Sequence, residues 1–255
     1  MSATRSETVV WRQPPDFHSH ILPMMDDGSD SVATSLEMLT RSAAYGCSVM
    51  VATPHFYPEN EGPDAFLARR AASAARLLNG GYDPSRHPCV FLGAEVAYFT
   101  GIGHCADLKR LTVLGTRTVL VEMPFCRWTD SMVDDILFIR DHLGLCPVLA
   151  HIERYRAFYS RRQLELLIEE GVAMQVNASN FAGCLTRYRA RRMVASGVVQ
   201  LIGSDCHNLG TRPPNLDVLL HDLASHGGES LLSRMTEQCR LLLRGAVPLE
   251  QTPGT

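Results

Sequence analysis

Short apolar runs in this chain repeatedly stop at an imidazole or a carboxylate, and that repetition limits what the chain can fold into. His18-Ser19-His20 ends one run, Thr53-Pro54-His55 the next, His151-Ile152-Glu153-Arg154 a later one and Asp205-Cys206-His207 the last. Glu95 and Glu122 close two more, at 89–94 and 118–121. A hydrophobic core has no need of metal-ligand side chains at the exit of nearly every strand. A site for several metal ions at one face of a barrel does.

The runs alternate with amphipathic stretches. Strands are predicted near 16–20, 48–53, 89–95, 118–122, 147–151, 173–177 and 199–204. Segment 31–45 carries Leu36, Leu39 and Ala43 at helical spacing, with Gly46 to stop it. The Ala- and Arg-rich segment 64–78 reads as a helix closed by Gly80-Gly81. Further helices are expected near 130–143, 161–170 and 187–196. Seven strands alternating with helices predict an α/β fold, a parallel, closed or nearly closed barrel. Such barrels carry their chemistry at the C-terminal ends of the strands, where every cluster above falls.

At 255 residues the chain is expected to form one domain, 1–255, as barrels of this size do. The polar stretch from Tyr57 to Pro63 reads as an active-site loop rather than a linker. Residues 1–15 and the tail from Pro248 are expected to be flexible. A net charge of −3 argues against nucleic acid as a partner. No stretch approaches the roughly 20 apolar residues that span a bilayer, and the polar N-terminus lacks the apolar core of a signal peptide. Eight scattered cysteines without a Cys-x-x-Cys pair then read as reduced thiols of a cytoplasmic protein.

Alternation along a strand sends His18 and His20 to the same side, so that one metal could take both rings. Asp26 or Asp27 follows on a turn that can swing toward the same mouth. His55, Glu95, Glu122, His151, Asp205 and His207 bring the candidate ligands to nine. Nine is too many for one ion and suits two or three. Mixed imidazole and carboxylate suits Mn²⁺, Fe or Zn²⁺ and leaves the choice open. His87, His104, His142, His221 and His226 lie outside the clusters and read as hydrogen-bonded structural histidines. Arg154 and Arg212 accompany the cluster, and a guanidinium fork matches two oxygens of a phosphate. Metals that generate a hydroxide, with arginine clamps, are the equipment of phosphoester hydrolysis.

These motifs resemble those of the PHP (polymerase and histidinol phosphatase) family, in particular its bacterial manganese-dependent protein-tyrosine phosphatases that accompany capsule and exopolysaccharide tyrosine kinases. The strings that carry the resemblance are Asp16-Phe17-His18-Ser19-His20-Ile21-Leu22-Pro23, Asp26-Asp27-Gly28, Ala52-Thr53-Pro54-His55 and Gly93-Ala94-Glu95. They continue through Glu122, His151-Ile152-Glu153-Arg154-Tyr155, Gln175-Val176-Asn177 and Ser204-Asp205-x-His207-Asn208 to Arg212-Pro213-Pro214. The resemblance implies a distorted seven-stranded TIM-like barrel holding three metal ions. It implies His18, His20, Asp27, His55, Glu95, Glu122, His151, Asp205 and His207 as ligands, with Glu95 bridging two ions. Arg154 and Arg212 would hold the phosphate, and the substrate would be a phosphotyrosyl protein, the tail of a cognate bacterial tyrosine kinase. A metal-bound water or His207 could protonate the leaving group. Many relatives carry a second histidine where this chain has Phe56, so the loop to Pro63 is expected to shape its substrate mouth differently.

Other readings compete for the same residues. Cys206 to Arg212 fits Cys-x₅-Arg, the loop of thiol-dependent phosphatases, but strand alternation turns Cys206 away from Asp205 and His207. A small-molecule phosphomonoesterase of histidinol-phosphate or nucleotide type could use the same ligands. A non-catalytic kinase-binding module would be expected to have lost some of them. The basic run Arg187-Tyr188-Arg189-Ala190-Arg191-Arg192 reads as a solvated helix face in preference to a dock for an acidic tail.

Overall fold

The structure is a computed structural model and describes residues 15–225 and 228–252. The expected N-terminal tail, up to residue 14, and His226 lie outside the described residues. Nine strands and seven α-helices are found among the described residues: β1 (Asp16–Ser19), α1 (Val32–Ala44), β2 (Val49–Ala52), β3 (His55–Phe56), α2 (Pro63–Asn79), β4 (Cys89–Leu92), β5 (Glu95–Ala97), β6 (Thr118–Glu122), α3 (Asp130–Asp141), β7 (Cys146–Leu149), α4 (Arg161–Glu169), β8 (Ala173–Asn177), α5 (Cys184–Ala195), β9 (Leu201–Gly203), α6 (Leu216–Ala224) and α7 (Glu229–Leu242). All strand pairs are parallel, in the orders β1-β2-β4 and β3-β5-β6-β7-β8-β9. This is an α/β fold with a curled parallel sheet.

Two expected strands are interrupted. The run at 48–53 breaks at Thr53-Pro54, because Pro54 has no N–H to give the ladder. The run at 89–95 breaks at Gly93-Ala94. Consequently His55 and Glu95 open β3 and β5 instead of closing the strands before them, and they pair with each other. Hydrogen bonds from Gly93 N to the Ala52 carbonyl and from Glu95 N to the Pro54 carbonyl carry the pairing across the break.

Burial explains why the site sits on one face. Along β6, Leu120 lies in an apolar cluster with Val49, Val51, Phe91, Val148 and Leu201, and α7 with the residues after it closes this cluster through Cys239 and Leu243. Two residues further on the same face stands Glu122. Ala173 and Gln175 repeat the step on β8. An apolar layer therefore underlies a polar one. The opposite strand faces pack against the helices in the larger core, with Met50, Val121, Leu149 and Val176.

The tail from Pro248 does not fray as expected up to Thr252. Pro248 bridges to Phe91, Val247 N donates to the Leu114 carbonyl, and Leu249 is fully buried in the larger core. Among the described residues no helix is long and apolar enough to cross a membrane. All eight cysteines are described and unpaired.

β1 and β9 approach too closely for a side chain at Gly203, whose added Cβ would lie 2.5 Å from His18 Cβ and 2.8 Å from Gln175 Nε2. Gly203→Ala is expected to cost about 1–3 kcal/mol of stability. Urea unfolding measures this, and an unchanged midpoint would refute the contact.

Candidate metal centre

β1 places His18 and His20 on the axis of the site, both fully buried. Each is anchored through Nδ1, so that its Nε2 faces the centre. His20 Nδ1 donates to Asp26 Oδ2 at 2.7 Å, and His18 Nδ1 lies 3.4 Å from Gln175 Oε1. His207 Nδ1 donates to the Asp205 carbonyl at 3.0 Å. A second ring nitrogen fixed by an acceptor is the arrangement that orients imidazole metal ligands.

Glu95 sits among the rings. Its Oε2 is 3.1 Å from His18 Nε2, 3.3 Å from His20 Nε2 and 3.0 Å from His55 Nδ1, while Oε1 is 2.9 Å from His151 Nε2. Glu122 Oε1 lies 3.5 Å from His151 Nε2, and Asp27 Oδ1 lies 3.5 Å and 3.4 Å from the Nε2 atoms of His55 and His207. Asp205 Oδ1 is 3.6 Å from both His18 and His20. All nine sequence-predicted ligands thus meet in one site. They fall into four overlapping groups, each with its donor atoms within 4.8 Å: His20, Asp27, His55 and His207; His18, His20 and Asp205; His18, Glu95 and His151; His55, Glu95 and Glu122.

This donor set fits metal ions. His18 Nε2 and His20 Nε2 face each other at 3.1 Å, each ring already held at Nδ1. His55 Nδ1, His151 Nδ1, His207 Nε2 and Glu95 Oε2 are buried without a hydrogen-bond partner. Stranded polar atoms of this kind are costly unless a charge joins them. The backbone contributes too: His151 and Asp205 adopt φ of 31° and 54°, a left-handed conformation rare for residues other than glycine and concentrated at functional sites. Both lie just past strand ends, at the exits of β7 and β9.

The charges interlock. Burial opposes ionisation of His20, but Asp26 and Glu95 outweigh it and lift the ring to about 10. His18 is raised in the same way by Glu95 and Asp205 against its burial. Burial pushes Glu122 up to about 7, helped by repulsion from Glu95. Burial and the neighbouring charges of His20 and Arg212 lower His207 to about 4, so this ring is neutral.

Both predicted arginines converge on Asp205. Arg154 Nη2 donates to Oδ2 at 2.6 Å, and Arg212 Nη2 lies 2.7 Å from Oδ1. Asn177 Nδ2 donates to the same Oδ2 at 2.8 Å. Each guanidinium keeps further donors for an anion.

Several further residues position the ligands. Asp26, open as a ligand on sequence grounds, accepts from His20, from His55 N at 2.9 Å and from Gly28 N at 2.9 Å. Gln175 Oε1 accepts from His151 N at 2.7 Å, and Gln175 Nε2 donates to Asn177. Buried Arg70 donates to the Gly93 carbonyl at 2.6 Å, two residues before Glu95. Asp16 joins β1 to β9 by accepting from Ser204 N at 2.8 Å, Ser204 Oγ at 2.6 Å and His18 N at 3.3 Å. Only the periodicity of Asp16, His18 and His20 could have pointed to that residue. Tyr57, not Phe56, faces the site: its ring stacks on His55 at 5.1 Å, whereas Phe56 is buried against Phe66. Cys206 is fully buried in the apolar core, and burial pushes its thiol well above the usual range, the reverse of what a nucleophilic thiolate needs.

A curled parallel sheet whose strand ends gather nine candidate metal ligands defines the class of protein. Residues 15–240 match the family described as Capsular polysaccharide synthesis, CpsB/CapC, and the chain belongs to that family. It is 30% identical over 247 residues to the tyrosine-protein phosphatase YwqE of Bacillus subtilis, covering 93% of this chain and 94% of YwqE. It is 29% identical over 213 residues to the tyrosine-protein phosphatase CpsB of Streptococcus pneumoniae, covering 78% of this chain and 85% of that one. A chain from the crystal structures of YwqE from B. subtilis and CpsB from S. pneumoniae, metal-dependent tyrosine phosphatases, superposes with a TM-score of 0.76 at 28% identity, over 91% of this chain and 95% of that chain.

Burial lifts the Asp16 carboxyl from its ordinary 3.8 to about 6, against the hydrogen bonds from Ser204 and His18. The folded state therefore binds more protons than the unfolded state between those values, and stability falls as pH rises through the window, by up to about 3 kcal/mol. The check is unfolding of metal-stripped protein at a series of pH values beside Asp16→Asn. The variant is expected to lack this slope, and parallel profiles would refute the assignment.

Proposed function

We propose that this chain is a metal-dependent protein-tyrosine phosphatase of capsule or exopolysaccharide biosynthesis, acting on the phosphorylated tail of a cognate bacterial tyrosine kinase. The observation that carries this reading is the set of four overlapping donor groups, two of them joined through Glu95, bordered by two arginines, in a chain whose relatives are named tyrosine-protein phosphatases. We take the metal to be Mn²⁺, in three ions held by His18, His20, Asp27, His55, Glu95, Glu122, His151, Asp205 and His207. The seven strand positions of a distorted barrel follow if β2 with β3, and β4 with β5, are each one interrupted strand. The hydrogen bonds from His20 N to the Cys206 carbonyl and from Asp205 N to the His18 carbonyl support closure between the first and last positions. Eight unpaired thiols favour the cytoplasm as the place of action.

Bound ions would supply a nucleophilic oxygen from water at neutral pH and Lewis acidity toward the phosphate oxygens. Arg154 and Arg212 hold the anion with their remaining donors and neutralise charge that grows as the ester bond breaks. His207, with Nδ1 held by the Asp205 carbonyl and Nε2 turned toward Asp27, is taken as a ligand that could also hand a proton to the leaving group. An aryl oxide needs less protonation than an alkoxide, so no dedicated acid is assigned. Tyr57 on His55 and exposed Phe125, three residues after Glu122, put aromatic faces at the mouth, which favours an aryl phosphate over a small alkyl one.

The test is hydrolysis of a phosphotyrosyl peptide by metal-stripped protein with and without added Mn²⁺. Activity should appear only on readdition. Full activity in the stripped sample would return Cys206 to the centre, and turnover of small phosphomonoesters alone would replace the protein substrate. Arg212→Ala is expected to lower kcat/KM about 10²–10³-fold with metal content, read by atomic emission, unchanged. Loss of metal along with activity would make Arg212 structural.

A further inference from the structure

The basic run at 187–192 neither lies free in solvent as a whole nor acts as one patch. Arg187 Nε lies 3.6 Å from Asp222 Oδ1, and Arg191 Nε donates to Asp222 Oδ2 at 2.6 Å, so these two tie α5 to α6. Arg189 and Arg192 turn the other way, into a cavity of about 670 Å³ between α4 and α5. Arg156 and Arg161 line its opposite wall. Among the described residues no aspartate or glutamate lines this groove. Arg161 is paired with Glu165 at 2.7 Å, but Arg156, Arg189 and Arg192 have no carboxylate at ion-pair distance among the described residues.

The lining between the arginines is apolar. Leu164, Leu185, Tyr188 and Met193 contribute to it, and Leu185 and Tyr188 are 61% and 59% exposed. Arg192 lies over the Tyr188 ring at 5.9 Å. Uncompensated guanidinium groups above an apolar lining match an extended chain that alternates anionic and apolar side chains. The groove is joined to the candidate metal centre through the chain. Arg156 follows Arg154 by two residues, in the segment that leaves β7 beyond His151.

We infer that this groove docks an acidic peptide segment flanking the phosphotyrosine of the substrate protein. The inference rests on the phosphotyrosyl reading above and adds to it where substrate selectivity resides. Charge complementarity identifies the occupant: four arginines line the groove, three of them with no carboxylate at ion-pair distance among the described residues. The chain carries a net charge of −3, so this cationic surface is local and does not reflect an overall basic protein. The arginines lie apart from the predicted ligands and act by binding, not on the reacting atoms.

The test uses the metal-loaded full chain and the double variant Arg189→Glu/Arg192→Glu, both positions being exposed. Three substrates are compared: p-nitrophenyl phosphate, a phosphotyrosyl peptide with a flanking run of glutamates, and the same peptide with glutamines. The wild type should prefer the glutamate peptide through a lower KM, and the preference should fade with added salt. The double variant should lose about tenfold in kcat/KM on the glutamate peptide while its p-nitrophenyl phosphate turnover stays unchanged. Equal kinetics of variant and wild type on the glutamate peptide would overturn the proposal.

Fluorescence anisotropy of a labelled, unphosphorylated glutamate peptide reads docking without catalysis. If the wild type hydrolyses no aryl phosphate, the phosphatase reading fails, and this arm alone decides docking. Binding lost in the double variant supports the groove. Displacement of the peptide by single-stranded RNA or anionic phosphatidylglycerol vesicles at lower concentration than by unlabelled peptide would reassign the groove and overturn the proposal.

Discussion

Everything in the site is arranged around one buried carboxylate. Glu95 is almost fully enclosed, and its two oxygens face imidazole nitrogens of four histidines from three different parts of the chain. A carboxylate so deprived of water is tolerable only if positive charge surrounds it. Histidine can meet that demand in two ways, by holding a proton or by sharing a metal ion, and the rings here are oriented for the second. The strand breaks, the left-handed residues at 151 and 205 and the buried Arg70 all serve to bring backbone close enough for those side chains to meet.

The outer ring of polar residues sets direction rather than charge. Asp26 fixes one imidazole and two backbone N–H groups, and Gln175 reaches from His151 N toward His18. Asp205 stands between this inner region and the arginines, accepting from Arg154, Arg212 and Asn177. Cation-seeking and anion-seeking groups therefore meet at a shared border, an arrangement that suits the proposed joint binding of metal ions and a phosphate.

The alternation of strands with helices and the nine clustered donors were legible because apolar periodicity and ligand-type residues are both local signals. The breaks within the second and third runs were less legible. Pro54 announces its missing N–H, but Gly93-Ala94 reads as a continuation of an apolar run, so Glu95 was expected to end a strand it in fact resumes. Gln175 and Asn177 carried no metal signature, since amides are common in loops and strands alike, and their role exists only once β8 lies beside β7 and β9. The tail after Pro248 looked polar, yet one residue, Leu249, decides its fate by filling a gap under α2 and β4. Positive φ at His151 and Asp205 leaves only a weak mark in the sequence, since histidine and aspartate adopt it more often than most residues but usually do not.

The β1–β9 seam has a consequence for how the protein comes into being. Asp16 finds Ser204 at a sequence separation of 188, and Thr118 Oγ1 donates to the Leu242 carbonyl at a separation of 124. Contacts of such separation form late and slowly, since a long loop must close before they reward it. On the ribosome, His18 and His20 emerge before Asp205 and His207 have been synthesised. During that interval the imidazoles, the apolar face of β1 and free thiols are exposed together. The nascent chain is thus at its most vulnerable to stray metal capture and aggregation while the site is half made.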